Sequence, residues 1–261
     1  MRKPGLDRLW CEESLSAPPA RPASQGSGAW ALLERADAWY RKLEWAEALR
    51  DYSRAVQEDQ RLLPGWVGQS LANFHLADHS RAELMAAQGL ANYPKSKQLL
   101  SVRGAALGRL GQRDQALACS DLSLSLEGDF WLEWALRGDL LLSLGGSNLP
   151  ARHCFARALE LADDWIGSLV CALAWQEHNF AQEALTYFEL PLVHNPETPE
   201  LLFRYVTCLE QAGQSGSAYE AVTKLLALAP RDKRFLALAE RLKPKGLLAQ
   251  LGRLFRRDEG G

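Results

Sequence analysis

The chain of 261 residues has an ordinary globular composition, with 47% hydrophobic and 24% charged residues, which excludes wholesale disorder. The 30 Lys and Arg residues nearly balance the 32 Asp and Glu residues, and the net charge of −2 gives no general attraction to nucleic acid or to an anionic membrane. No stretch approaches the ~20 consecutive apolar residues of a membrane-spanning helix. The first residues lack the apolar run of a signal peptide, so we expect a cytoplasmic protein.

The N-terminal segment has the composition of a disordered arm. Residues 11–28 contain four Ser, three Pro and two Gly. Such a segment cannot bury enough apolar surface to offset the entropy lost on ordering. We therefore predict a disordered arm over residues 1–28.

From Trp30 onward the sequence repeats itself at a period of 34 residues. One column of mostly small residues recurs at that spacing: Ala36, Ser70, Gly104, Gly138, Ala172 and Val206. A second column of alanines follows at spacings of 33 to 35: Ala48, Ala82, Ala116, Ala151, Ala184 and Ala218. Six registers that agree in several columns indicate a repeat protein.

Each repeat has the pattern of a helical hairpin. Apolar residues such as Leu100, Leu107 and Leu110 recur at helical spacing, and Gly111 then begins a short turn. One hairpin cannot cover its own apolar face, so successive hairpins must stack. We therefore predict an all-α fold, an α-solenoid of about six stacked helix-turn-helix repeats over residues 29–243, with the C-terminal capping helix at 231–243.

The columns resemble those of the tetratricopeptide repeat. The first repeat carries Trp39, Ala48, Tyr52 and Ala55 at the places where that family has large and small residues, and the resemblance covers about residues 29–230. It implies a non-enzymatic fold that binds other proteins. Pro191 departs from the pattern because it falls inside a second helix, where we expect a kink or an early stop.

Two pairs of residues resemble metal or acid–base sites. His75 and His79 are four residues apart, but the repeat places them on either side of a turn, so we predict no metal site. Asp163 and Asp164 precede a helix, where a short acidic side chain is an ordinary N-cap.

The cysteines and the glycines offer no catalytic motif either. The five Cys are an odd number without a C-x-x-C pair, which argues against disulfides and zinc. His153 and Cys154 are adjacent on a helix and point about 100° apart, a poor geometry for a base and a nucleophile. No glycine-rich phosphate loop occurs. We therefore predict no enzyme activity, no cofactor and no small-molecule substrate.

The resemblance implies that the first helices of the repeats line a concave groove for a protein or peptide partner. The groove residues carried over from the family's ligand-facing positions are Leu33, Asp37, Tyr40, Arg41, Val67, Leu71, Phe74, His75, Arg109, Leu169, Leu173 and Phe203. An acid at Asp37 would repel a partner's C-terminal carboxylate, so we reject a carboxylate clamp. Apolar groove residues suit a peptide docked by hydrophobic anchors. Alternatively, these side chains pack between neighbouring first helices.

The predicted function is a scaffold or adaptor that binds a partner peptide or helix in this groove. The alternative is a regulatory or targeting subunit of a separate enzyme or of a secretion or assembly machine. For the tail at 244–261 the sequence predicts a short amphipathic helix with basic flanks, whose apolar stripe lies within 247–257. We expect that stripe to cap the exposed end of the solenoid, and the alternative is weak, reversible contact with an anionic membrane surface or with a partner helix.

Overall fold

The computed structural model of the chain describes residues 28–243, which form thirteen α-helices and no strand within that range. The helices are α1 (Ala29–Arg41), α2 (Trp45–Glu58), α3 (Leu63–His75), α4 (His79–Asn92), α5 (Lys97–Arg109), α6 (Arg113–Ser125), α7 (Trp131–Ser143), α8 (Leu149–Leu161), α9 (Trp165–Glu177), α10 (Ala181–His194), α11 (Pro199–Gln211), α12 (Ser215–Leu228) and α13 (Lys233–Leu242). Of the predicted arm, only Gly28 is described, and the predicted tail helix lies outside the described residues.

The chain divides into two compact units, with the boundary between Ala174 and Trp175 inside α9. The described part of the first unit contains α1–α8 and most of α9. Here the consecutive helices from α1 to α8 pack against one another, the last such pair being α7 and α8. The first helices of neighbouring repeats also pack together, α1 on α3, α3 on α5 and α5 on α7. This is the stacking of helical hairpins that the repeat predicts, and the chain is an all-α repeat solenoid.

The hairpin turns use residues in the left-handed region to end each first helix. Gly111 has φ of 76°, and the amide of Gln112 donates to the carbonyl of Leu107 at 2.9 Å, which closes the helix end. The equivalent place is taken by Leu43 and Ala77, each with φ of 61°, in the first two repeats. The turn therefore adopts the same left-handed backbone conformation whether or not the residue is glycine.

Both repeat columns lie in the interior, as the sequence predicts. Every residue of the small column and of the alanine column is buried. A Cβ added to Gly104 would lie 3.0 Å from the carbonyl oxygen of Ala116, and one added to Gly138 would overlap the ring of Phe155. The small side chains allow the two helices of a repeat to approach closely.

The described part of the second unit contains the end of α9 and α10–α13, in which each helix from α10 to α13 packs against the next. Helix α13 lies where the capping helix was predicted, and it buries Phe235, Leu238 and Leu242. The expectation of an early stop at Pro191 is wrong, because α10 continues to His194. Pro191 is itself buried within α10, and the kink stays a prediction.

Among the described residues, no helix is both long and apolar enough to cross a membrane.

Candidate protein-binding surface

Most of the predicted groove residues of the first unit are buried. Eight of them are at most 7% exposed: Leu33, Tyr40, Val67, Leu71, Phe74, His75, Leu169 and Leu173. Side chains this deeply buried cannot serve as anchors for a partner without a rearrangement. Their burial favours the alternative interpretation, in which they pack between neighbouring helices.

Phe203, the predicted groove residue of the second unit, is half-buried. Its ring centroid lies 5.3 Å from that of Phe235, and the guanidinium of Arg234 lies 5.4 Å from its centroid. The ring is therefore held between α11 and α13.

His75 belongs to an aromatic cluster. Its imidazole stacks on Trp45 with ring centroids 4.9 Å apart, and the centroid of the Tyr40 ring lies 5.6 Å away in an edge-on arrangement. His75 is the last residue of α3 and His79 is the first of α4, so the two lie on different helices as expected. The described residues contain no group of three His, Cys, Asp or Glu side chains that could hold a metal ion.

Arg109 is engaged by an acid of the next first helix. Its Nη2 and Nε donate to the carboxylate of Asp139 at 2.5 and 3.1 Å, and the two side chains are only 14% and 2% exposed. The same guanidinium lies 5.5 Å from the centre of the Phe74 ring. Burial and the positive charge of Arg109 lower the pKa of His79. Arg109 thus links α3, α5 and α7.

Arg41 makes a contact that the repeat pattern does not predict. Its Nη1 donates to Asp164 Oδ2 at 3.1 Å, and its guanidinium lies 5.8 Å from the centre of the Trp165 ring. The first repeat therefore touches the start of the fifth. The Arg41 and Asp164 side chains remain 29% and 38% exposed.

Asp164 also has the N-cap role that the sequence predicts. Its Oδ1 accepts a hydrogen bond from the amide of Ile166 at 2.9 Å, at the start of α9. Asp37, one turn before Arg41 on α1, accepts a hydrogen bond from the hydroxyl of Tyr52 at 2.5 Å. We call Asp37, Arg41 and Asp164 the inner rim.

The described thiols are weak nucleophiles. Burial raises the pKa of Cys119, Cys154 and Cys171 and raises that of Cys208 to about 12. Because the thiolate is the reactive form, the raised pKa values lower the reactivity of these cysteines near neutral pH. They lie in or near the core, as the sequence predicts.

Solved structures resemble the chain, and two of them superpose as follows. A thermophilic TPR protein of Thermus thermophilus superposes with a TM-score of 0.52 at 20% identity, over 69% of this chain and 98% of that one. The chain has the tetratricopeptide-repeat fold. The Cut9–Hcn1 hetero-tetramer of the APC/C matches 83% of this chain with a TM-score of 0.53 at 16% identity, and the match spans 43% of that chain. No family model and no curated protein sequence matches the chain.

Within the tetratricopeptide-repeat fold, the first unit thus combines an apolar interior with a charged inner rim. Asp37 and Arg41 lie on α1, the helix on which the repeat pattern places them, and their role in binding a partner stays a prediction. The contact of Asp164 with Arg41 could not be predicted from the repeat positions, because Asp164 lies in the loop between two repeats. An acidic residue at a helix start gives no indication that a distant arginine reaches it.

Proposed function

We propose that the chain is a non-catalytic protein-interaction scaffold that docks a segment of a partner protein on the inner rim. The observation that carries this proposal is the partly exposed ion pair between Arg41 and Asp164, which joins two repeats whose neighbouring apolar residues are already buried. The partner is held by charge and hydrogen bonds rather than by hydrophobic anchors.

The energetics of ion pairs support the inner rim as the docking site. An exposed ion pair contributes only ~0–1 kcal/mol, so Arg41 and Asp164 exchange their mutual contact for a partner's charges at little cost. The buried pair of Arg109 and Asp139 differs, because removing one member of such a pair typically costs about 3–5 kcal/mol. Arg109, although predicted in the groove, is therefore a structural residue.

The absence of catalysis is part of the proposal and has chemical support. The raised pKa values of the described thiols disfavour a cysteine nucleophile among them. Asp163 and Asp164 are the one acidic pair that resembles an acid–base site in the sequence. Of these two, Asp164 has a structural role, because it caps α9 and forms the ion pair with Arg41.

A charge-swap experiment tests the docking site. The full chain is used as bait in the native lysate, and its partners are quantified by mass spectrometry for the wild type and for Arg41→Asp with Asp164→Arg. The swap keeps opposite charges at the two positions but removes the Asp164 N-cap of α9, so we expect it to lower stability by about 0.5–2 kcal/mol, and capture is compared at a temperature at which both chains are folded. It reverses both charges presented to the partner, and we expect capture of the specific partner to fall at least tenfold.

A matched control swaps Arg103 and Glu83, which form a 2.8 Å ion pair with similar exposure, 34% and 24%, between α5 and α4. Arg103→Glu with Glu83→Arg should capture the partner as the wild type does. Equal capture by the inner-rim swap would show that the partner docks elsewhere. A wild-type chain that enriches no protein over bare resin would contradict the scaffold itself.

A further inference from the structure

A second surface of the first unit has the features of a binding site for acidic groups. A cleft of about 350 Å³ lies between α1 and α2, and its walls are Arg35, Trp39, Arg50, Asp51 and Arg54. Cavities that hold ligands range from roughly 300 to 1,000 Å³, so this one has room for a few side chains of a peptide.

The floor of the cleft is an ion pair between the buried carboxylate of Asp51 and the exposed side chain of Arg35. Arg35 donates from Nε and Nη2 to the two carboxylate oxygens of Asp51, at 2.5 and 2.8 Å. Asp51 is only 2% exposed, and its pKa is lowered first by this hydrogen bond and also by the charges of Arg35, Arg50 and Arg54. The one acid among the described residues that line the cleft is therefore already engaged.

Arg50 and Arg54 are the available cations of the cleft. They lie four residues apart on α2, both side chains are exposed, and neither has a hydrogen-bond or ion-pair partner among the described residues. Like charges at this spacing on a helix destabilise each other. Three guanidinium groups against one carboxylate leave a local charge of +2, which a ligand with two carboxylates would neutralise.

Trp39 adds an apolar wall beside these cations. Its ring is half-buried, and the ammonium of Lys42 lies 5.5 Å from the ring centre. A flat indole next to two guanidinium groups suits a ligand that alternates apolar and anionic groups, because the ring takes the apolar side chain while the arginines take the carboxylates.

We propose that this cleft binds an acidic peptide segment of a partner protein, with two carboxylates on Arg50 and Arg54 and an apolar side chain on Trp39. The site shares no residue with the inner rim, so it stands whether or not the partner of the proposed function docks there.

Charge distinguishes an acidic peptide from two other candidate occupants of the cleft, the chain's own N-terminal segment and a nucleic acid. Residues 1–27 of the chain itself carry four basic residues against three acidic ones, so the segment as a whole is repelled by the cleft. Nucleic acid requires a continuous track of cations along its backbone. Here the unpaired cations of the described cleft are confined to neighbouring turns of one helix.

Fluorescence anisotropy of the full chain with two labelled peptides tests the proposal. One peptide alternates glutamate and leucine over nine residues, and the other has glutamine in place of every glutamate. We expect the acidic peptide to bind with a Kd below about 1 mM, weakening as salt rises, and at least ten times more tightly than the glutamine peptide. Arg50→Gln with Arg54→Gln should weaken the acidic peptide at least tenfold.

The matched control is Arg113→Gln with Arg231→Gln, which removes two exposed arginines elsewhere and should bind as the wild type does. Three results would overturn the proposal at once: no saturable binding of the acidic peptide, equal binding of the glutamine peptide, or unchanged binding by the Arg50 and Arg54 variant. Tighter binding of an oligothymidylate would assign the cleft to nucleic acid instead. A tenfold gain in peptide affinity from Glu12→Lys with Glu13→Lys would assign it to the chain's own N-terminal segment.

Discussion

The ammonium of Lys97 lies 2.9 Å from the carboxylate of Glu133 in the interior of the first unit, where the two side chains are 3% and 2% exposed. Lys97 Nζ also donates to the carbonyl of Gly128, and Glu133 accepts a hydrogen bond from the amide of Phe130 at 3.0 Å. Burial raises the pKa of Glu133 even though Lys97 opposes that shift. The pair fixes the start of α5 against the start of α7.

Removing one member of this pair should cost far more than removing both. Lys97→Met leaves a buried carboxylate without its cation, and we expect a loss of about 3–5 kcal/mol in the free energy of unfolding. Lys97→Met with Glu133→Gln removes both charges and keeps an acceptor for the Phe130 amide, so it should lose less. Urea denaturation of the wild type and the variants measures this, and a double variant less stable than the single one would contradict it.

The ion pair of Arg35 and Asp51 should make the stability of the fold depend on pH in the acidic range. The pKa of Asp51 is lowered in the folded chain, so this group stabilises the fold above the ordinary aspartate pKa of about 3.9. The contribution is lost as the pH falls through that value toward the lower folded pKa. The melting-temperature difference between the wild type and Asp51→Asn should therefore shrink between about pH 5 and pH 3. A difference that stays constant over this range would exclude the linkage.

Gly138 should not tolerate a larger side chain. It faces the ring of Phe155, and we expect Gly138→Leu to destabilise the first unit by ~1–3 kcal/mol through overpacking, although Leu is the better helix former. Gly216, which is also helical, has nothing within 4 Å of an added Cβ, so Gly216→Ala is the matched control and should leave stability equal or slightly higher. The melting temperatures of both variants test this prediction. An unchanged melting temperature for Gly138→Leu would show that the two helices are not in close contact at this position.

The ion pairs Arg41–Asp164 and Arg109–Asp139 of the first unit should respond differently to alanine substitution. Arg41→Ala breaks an exposed pair and should change the free energy of unfolding by less than about 1 kcal/mol. Arg109→Ala leaves Asp139, only 2% exposed, without its cation and should cost several times more, as urea denaturation of both variants would measure. Similar losses for the two variants would show that the Arg41 contact is not a replaceable surface pair.

The sequence predicted the parts of the fold that depend on neighbouring residues. Helical hairpins and the buried columns follow from local spacing, because each column position meets the same neighbours in every repeat. The contact of Arg41 with Asp164 depends instead on how small rotations add up over four repeats, and spacing carries no such information. For the same reason the apolar groove positions, such as Leu71, were compatible with either an open groove or a packed interior.

Site-directed photo-crosslinking tests the central claim most directly. A photoreactive phenylalanine analogue replaces Glu34, which is exposed on α1 two turns before Arg41, or Gln88, which is exposed on α4. We expect one partner segment to be crosslinked at position 34, and the Arg41→Asp with Asp164→Arg swap to abolish that product, while position 88 gives none. Crosslinking of the same segment at position 88 and not at 34 would contradict docking on the inner rim.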